Sequence, residues 1–185
     1  MASGTQTYPW FDVPEGDDIE QGDILEQFPV FLLPTNLPVA SNTNDPVKME
    51  IDWGTHDVIV MSQSCDLRKG GEKAIDAIIL CAVWKRSQVP EFTKDDWMEN
   101  ARKGRFPAYH VLNECNLTTY HCEFRIVDFR KVYSMPLDFV RGRVQVNKRV
   151  RLLPPYREHL SQSFARFFVR VGLPSDIPPF KGKKS

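Results

Sequence analysis

Apolar residues along most of the chain occur in short runs or alternate with polar residues, and turn-forming residues separate these segments. This pattern predicts β-strands. The run at 74–84 favours a strand over a helix because Ile75, Ile78 and Val83 are β-branched. Pro29 predicts a bulge or an edge position in the first strand. The predicted strands cover residues 22–34, 47–53, 58–61, 74–84, 109–112, 122–129 and 132–135.

One helix is predicted in the middle of the chain, at about 94–103. Thr93 is a suitable N-cap, and Asp95 and Asp96 suit the positive end of the helix dipole. Gly104 follows the last turn and ends the helix.

A second helix is predicted near the end of the chain, at about 155–171, with Pro155 at a favoured first position and Gly172 after the last turn. Its apolar side chains recur at helical spacing, which predicts packing against the sheet. The stripe consists of Tyr156, Leu160, Phe164, Phe167, Phe168 and Val171.

The chain has 185 residues, of which 42% are hydrophobic, so it can form one domain with a sizeable core. We expect a flexible arm at 1–18, with Trp10 and Phe11 as candidates to dock, one domain at 19–173, and a basic tail at 174–185. The elements predict a mainly β protein with peripheral helices. The expected architecture is a small SH3-like barrel that has one inserted helix and is closed by the C-terminal amphipathic helix.

The formal net charge is +0, but the two halves differ strongly. Residues 1–100 contain 18 Asp and Glu against 7 Lys and Arg, a balance of −11, and residues 101–185 have the opposite balance of +11. The basic half either attracts an acidic partner or pairs internally with the acidic half. The start of the sequence lacks a secretory pattern, and no apolar run is long enough to span a membrane, so we expect a cytoplasmic protein with no membrane partner.

Four cysteines without an export signal predict reduced thiols. Cys115, His121 and Cys122 lie close in sequence, but the spacing of the two cysteines departs from that of a zinc knuckle. We therefore predict no metal and no cofactor.

A polar motif, Ser-Gln-Ser-Cys-Asp-Leu, follows an apolar strand at 62–67. Such a position presents side chains from a rigid scaffold. Cys65 is a candidate nucleophile, with Asp66 as the orienting carboxylate and His56 or His110 as the base.

Within the same motif, Gln63 is a candidate donor to an oxyanion. The alternatives are structural, with Cys65 filling a small pocket and Ser62 and Gln63 satisfying backbone groups, or a recognition surface. The motif resembles Ser-Gln-x-Cys-Asp-Leu segments of uncharacterised bacterial proteins, which imply no activity.

Three segments, Gly22-Asp23-Ile24-Leu25, residues 58–62 and residues 78–83, resemble in their order the MazF/PemK family of bacterial toxin barrels. The end of the chain is similar too, and the resemblance covers about 20–173. It implies an SH3-like barrel. Members that cleave RNA use an Arg before the second segment and a Thr or Ser after the third, where this chain has His56-Asp57 and Ala82-Val83-Trp84.

These departures predict a non-catalytic binding or regulatory barrel module of a toxin-like family. Its basic C-terminal half would engage RNA, DNA or an acidic protein, and formation of a homo-oligomer is a further possibility.

Arg125 lies inside an apolar strand, which predicts that it pairs with a carboxylate such as Asp128 or Asp66. The alternatives are a Cys65-dependent hydrolase or transferase and a divergent endoribonuclease that uses His56. The candidate binding residues are Ser62, Gln63, Arg125, Arg130, Arg157, Arg166 and Arg170.

Overall fold

A computed structural model of the chain describes residues 8–32, 50–68, 75–145 and 149–169. The strands in these ranges are β1 Phe11–Asp12, β2 Asp23–Leu32, β3 Asp52–Val60, β4 Ala77–Lys85, β5 Tyr109–Leu112, β6 Cys115–Leu117, β7 Tyr120–Cys122, β8 Arg125–Pro136 and β9 Arg149–Leu152. The α-helices are α1 Ser64–Leu67, α2 Asp95–Arg102, α3 Leu137–Val144 and α4 Tyr156–Phe168. Short 3-10 helices cover Arg86–Gln88 and Pro90–Thr93.

Seven strands form one antiparallel sheet in the order β1-β9-β2-β3-β4-β8-β5. Strands β6 and β7 form a separate hairpin. The prediction of a mainly β fold with peripheral helices is confirmed. Across the described ranges, the edge strands β1 and β5 do not pair, so the sheet is not closed into a barrel.

Both faces of the sheet carry a hydrophobic core. Side chains alternate along β4, so Cys81 and Val83 enter a first core that includes Leu160 of α4. Ile78 and Leu80 enter a second core that α3 completes with residues such as Val140. The sheet is therefore packed on both sides, which explains the long apolar runs in the sequence.

Most predicted strands correspond to strands of the structure, and the differences lie at their ends. β5 has its predicted bounds, whereas the segments predicted at 47–53 and 58–61 contribute to one strand, β3; residues 47–49 lie outside the described ranges. Pro29 sits beyond a bulge between Leu25 and Phe28, in agreement with the prediction. Gln27, within that bulge, has a φ of 49°.

The two predicted helices are α2 and α4, each slightly shorter than its prediction. Leu160 is fully buried, and Phe164 and Phe167 pack against the first core. Phe168 is 60% exposed, so its assignment to the buried stripe is wrong. Helix α3 was not predicted, because its residues include Gly142 and have little helical periodicity.

Part of the predicted N-terminal arm belongs to the folded body. Phe11 pairs with Leu152 of β9 and is buried, and the Trp10 ring stacks on Tyr156 at a centroid distance of 3.6 Å. The predicted tail at 174–185 lies outside the described residues. No helix within the described ranges is long and apolar enough to cross a membrane.

Candidate functional site

Arginines of the basic half pair with carboxylates of the acidic half where β9 meets β2. Buried Asp23 lies 3.2 Å from Arg149 Nε and 2.6 Å from Arg151 Nε. Glu20 accepts from Arg151 at 2.8 Å and from Arg157 at 3.2 Å. Arg157, a predicted binding residue, is thus held by an internal ion pair. This region supports the internal-pairing alternative for these arginines.

Arg125 is fully buried and also pairs internally. Its carboxylate partner is Glu26 rather than Asp128 or Asp66, and the Tyr120 hydroxyl donates to Glu26 at 2.6 Å. Burial acts to raise the pKa of the Glu26 carboxyl, but the Tyr120 hydrogen bond and the Arg125 charge outweigh it and lower that pKa. Arg125 is therefore part of the interior and does not form a binding surface.

The polar motif after β3 divides into structural and exposed residues. Ser62 is buried, and its Oγ accepts the backbone N–H of Ile79 at 2.9 Å, as its structural alternative predicts. Gln63 precedes α1. The exposed Cys65 thiol donates to Asp66 at 3.4 Å and contacts Gln63 at 3.8 Å, so Cys65 does not fill a pocket.

The structure brings Asp66 to Cys65 but places neither of the predicted bases, His56 and His110, beside it. His56 lies four residues before the end of β3, about 13 Å along the strand, whereas Cys65 follows that end in α1. His110 lies on the edge strand β5, separated from β3 by β8 and β4, about 14 Å away across the sheet. A catalytic unit of Cys65 with His56 or His110 therefore finds no support in this geometry.

A bulge in β8 takes two cations, Arg130 and Lys131, out of the regular pairing with β4. Cys81 pairs with Val132, whereas the next residue of β4, Ala82, pairs with Asp128. Residues 129–131 consequently have no opposite residue on β4. Phe129 is fully buried in the first core, and Arg130 and Lys131 are exposed. Bulges of this kind re-aim side chains at functional sites.

Both exposed cations lie over aromatic rings. The Arg130 guanidinium carbon is 4.6 Å from the centroid of the Tyr109 ring, and Lys131 Nζ is 4.9 Å from that of Trp84. The His56 ring lies 5.4 Å from the Trp84 ring. We call this set the basic-aromatic surface; it consists of His56, Trp84, Tyr109, Arg130, Lys131 and Tyr133, whose ring is 6.0 Å from that of His56.

The two cations differ in their ionic partners. Buried Asp128 accepts from Arg130 Nε and Nη2, each at 2.9 Å, and fixes the guanidinium over Tyr109. Lys131 forms no ion pair with any residue that the structure describes. Burial and the nearby Lys131 charge lower the pKa of His56, so its imidazole is uncharged at neutral pH. The surface thus carries one paired and one unpaired cation.

A cleft of about 480 Å³ lies between α4 and the segment that joins α2 to β5. Its α4 wall includes Arg166, whereas Arg157, nine residues earlier, is on the opposite side of the helix. These two candidate binding residues therefore do not share one face of α4. Arg170 lies outside the described residues. Other residues that line the cleft are Trp10, Tyr109, His110, Tyr156 and His159.

His110 occupies the inner part of this cleft. It is opposite Val127 of β8, a member of the first core, and its ring stacks near that of Phe129. Burial, and then the neighbouring His159, lower the pKa of His110 to about 4. The imidazole is therefore neutral at pH 7.

Cys115 and Cys122 face each other across the β6–β7 hairpin as free thiols. Among the described residues, no group of three or more His, Cys, Asp and Glu side chains is arranged to hold a metal ion.

No family model matches the chain, and no curated protein matches it. What the chain binds has to be inferred from its own residues.

The basic-aromatic surface was missed as a unit in the sequence, although Arg130 and His56 were singled out separately. The available signal was the break in the apolar pattern of β8, where Arg130 and Lys131 follow Phe129. The ring partners come from other strands, and only the sheet order brings them together.

Proposed function

We propose that the chain is a non-catalytic module that binds single-stranded nucleic acid on the basic-aromatic surface. One observation carries this proposal: the β8 bulge holds Arg130 and Lys131 over the rings of Tyr109 and Trp84, on a face that α3 leaves open. Cations contact phosphates, and aromatic rings stack on unpaired bases.

Arg130 is preorganised for a phosphate contact. Asp128 and the Tyr109 hydroxyl engage Nε and Nη2, while Nη1 has no hydrogen bond to any described residue. The side chain is 55% exposed, so Nη1 can donate to a phosphate without breaking the internal bonds. Lys131 supplies a second, unpaired charge beside it. Two adjacent cations fit consecutive phosphates of a strand.

A nucleic acid is favoured over an acidic protein because the surface combines cations with several ring faces. The arginines of the same half that would widen a basic face, Arg149, Arg151 and Arg157, are held by Asp23 and Glu20. An acidic protein is an outcome of the test below.

The second part of the proposal is that this module is a divergent relative of the SH3-like MazF/PemK toxins, with an open sheet in place of a closed barrel. The three resembling segments belong to β2, β3 and β4, which are neighbours in the sheet. The β6–β7 hairpin supports it too, because it packs on the first core and contacts the edge strand β1. The hairpin thereby bridges the edges of the sheet without closing it by hydrogen bonds.

Fluorescence anisotropy with a labelled 12-nucleotide single-stranded RNA tests the proposal. Lys131→Gln should weaken binding about fivefold to tenfold. Arg68→Gln is the matched control, because it also removes one exposed positive charge but lies after α1, at the other end of β3. Equal losses in both variants, or tighter binding of an acidic peptide than of RNA by the wild type, would overturn the proposal.

A further inference from the structure

The cleft between α4 and β5 has the size of a small-molecule site. Its volume of about 480 Å³ falls in the range of ligand pockets. One wall is the face of α4 that presents Tyr156, His159 and Arg166, and the other runs from the end of α2 to His110 on β5. Trp10 closes one end, where its ring stacks on Tyr156.

The charge of the lining has a single sign. The charged side chains of the lining are Arg102 and Arg166, and no Asp or Glu side chain is among the described residues that line the cleft. A lining of this kind favours an anionic ligand.

Arg166 is the cation best able to bind that anion. Within the described ranges it forms no ion pair, whereas Arg102 donates to Glu99 through Nε and Nη2, each at 2.8 Å. A guanidinium binds phosphate with two parallel hydrogen bonds, and the His159 imidazole lies on the same helix face, seven residues away.

The remaining lining is aromatic and apolar. Trp10, Tyr156, Phe106 and Val111 lie along the cleft, and Tyr109 borders it at the sheet edge. Ring faces of this kind bind a planar aromatic group by stacking. A cation at one position and rings beside it match a ligand with a phosphate joined to an aromatic ring.

We propose that this cleft binds an aromatic phosphomonoester, with Arg166 on the phosphate and the rings of Trp10, Tyr156 and Phe106 around the aromatic group. Nucleoside 5′-phosphates have this chemistry. It occurs in free nucleotides and at the 5′-phosphorylated end of a nucleic acid, and the experiment below separates these two sources.

The proposed cleft site shares Tyr109 with the basic-aromatic surface and is otherwise separate from it. Paired residues of adjacent strands share a face, so His110 lies on the first-core side with Val127, and Tyr109 lies on the other side with Asp128. Lys131 and Arg166 are therefore on opposite faces of the sheet. The cleft can bind its ligand whether or not the surface binds nucleic acid.

The test is isothermal titration of the whole chain with AMP, adenosine and inorganic phosphate. AMP should bind at least about tenfold more tightly than either fragment, because only AMP engages both the cation and the rings. Arg166→Gln should weaken AMP binding about tenfold. Arg157→Gln, which removes the same charge from the opposite side of α4, should leave it unchanged.

A second measurement does not depend on any variant. In the wild type, addition of AMP should shift the imidazole NMR signals of His110 and His159, and leave that of His121 in place. A 5′-phosphorylated oligonucleotide that shifts them at lower concentration than AMP would assign the cleft to nucleic-acid ends, and the reverse order would assign it to free nucleotides. Absence of any shift at millimolar AMP and oligonucleotide would contradict the cleft proposal and leave the basic-aromatic surface untouched.

Discussion

Two groups of cations from the basic half of the chain have opposite environments. Arg149 and Arg151 lie beside the buried carboxylate of Asp23, while Arg130 and Lys131 lie at the surface over aromatic rings. The difference comes from topology. β9 pairs with β2, which sets Asp23 opposite Arg151, whereas the bulge in β8 leaves residues 129–131, including Arg130 and Lys131, without partners on β4. A basic half thus indicates a binding surface only where the fold leaves its cations unpaired.

The largest expected effect is on stability, at the buried cluster. Asp23→Asn removes the carboxylate shared by Arg149 and Arg151 and leaves the Arg149 guanidinium buried without its partner, so unfolding in urea should show a loss of about 3–5 kcal/mol. Asp138→Asn is the control, because its side chain is 94% exposed in the pair with Arg141, and it should cost less than about 0.5 kcal/mol. Similar losses in both variants would contradict the assigned contrast between buried and exposed pairs.

The half-buried His110 should give the next largest effect, on the pH dependence of the free energy of unfolding. Because the pKa of His110 is about 4 in the folded chain and near 6.5 when unfolded, the unfolded state binds more protons between these values. The stability contributed by neutral His110 is present above pH 6.5 and is lost as pH falls towards 4, by about 3 kcal/mol. His110→Asn should show a shallower decline of unfolding free energy over this range. Equal slopes for both proteins would be incompatible with a His110 imidazole that stays neutral in the folded chain.

The ring partner of Lys131 should affect binding more than stability. Trp84→Ala removes a stacking face and the contact that positions Lys131, so we expect RNA affinity to fall about fivefold to tenfold. Trp53→Ala, which truncates a tryptophan that is 68% exposed on β3 outside the basic-aromatic surface, should leave affinity within about twofold. A larger effect at Trp53 would move the binding surface to the β2–β3 ribbon.

The smallest effect is expected at the polar motif. Cys65→Ser should change neither RNA affinity nor the free energy of unfolding by more than about 0.5 kcal/mol, because the exposed thiol bonds to Asp66 and Gln63 of its own turn among the residues that the structure describes. Iodoacetamide labelling should reach Cys65 faster than the buried Cys81. If Cys65→Ser abolished an enzymatic activity of the chain, that result would support the alternative of a Cys65-dependent hydrolase or transferase.

The sequence predicts the strands and helices that depend on local residue patterns. It does not predict side-chain contacts that depend on which strands are neighbours in the sheet. β5 and the two helices follow from periodicity, and Pro29 indicates its bulge. The predicted N-cap of α2 is wrong, because Thr93 belongs to the preceding 3-10 helix and Lys94 occupies the N-cap position. Arg125 was expected to pair with a carboxylate, but its partner Glu26 lies 99 residues away on a strand that only the sheet order brings near. Arg157 and Arg166 are similar in sequence context. Only the packing of α4 on the sheet determines that Arg157 pairs with Glu20 and that Arg166 lines the cleft.

The salt dependence of RNA binding tests the central contrast most directly. Plots of log Kd against log salt concentration should be compared for the wild type, the double variant Arg130→Gln/Lys131→Gln, and Arg68→Gln. Each phosphate contact on a single strand contributes a slope of about 0.7, so the double variant should lose about 1.4 from the slope and Arg68→Gln nothing. An unchanged slope in the double variant would show that the cations of the β8 bulge do not contact nucleic acid, and would contradict the account.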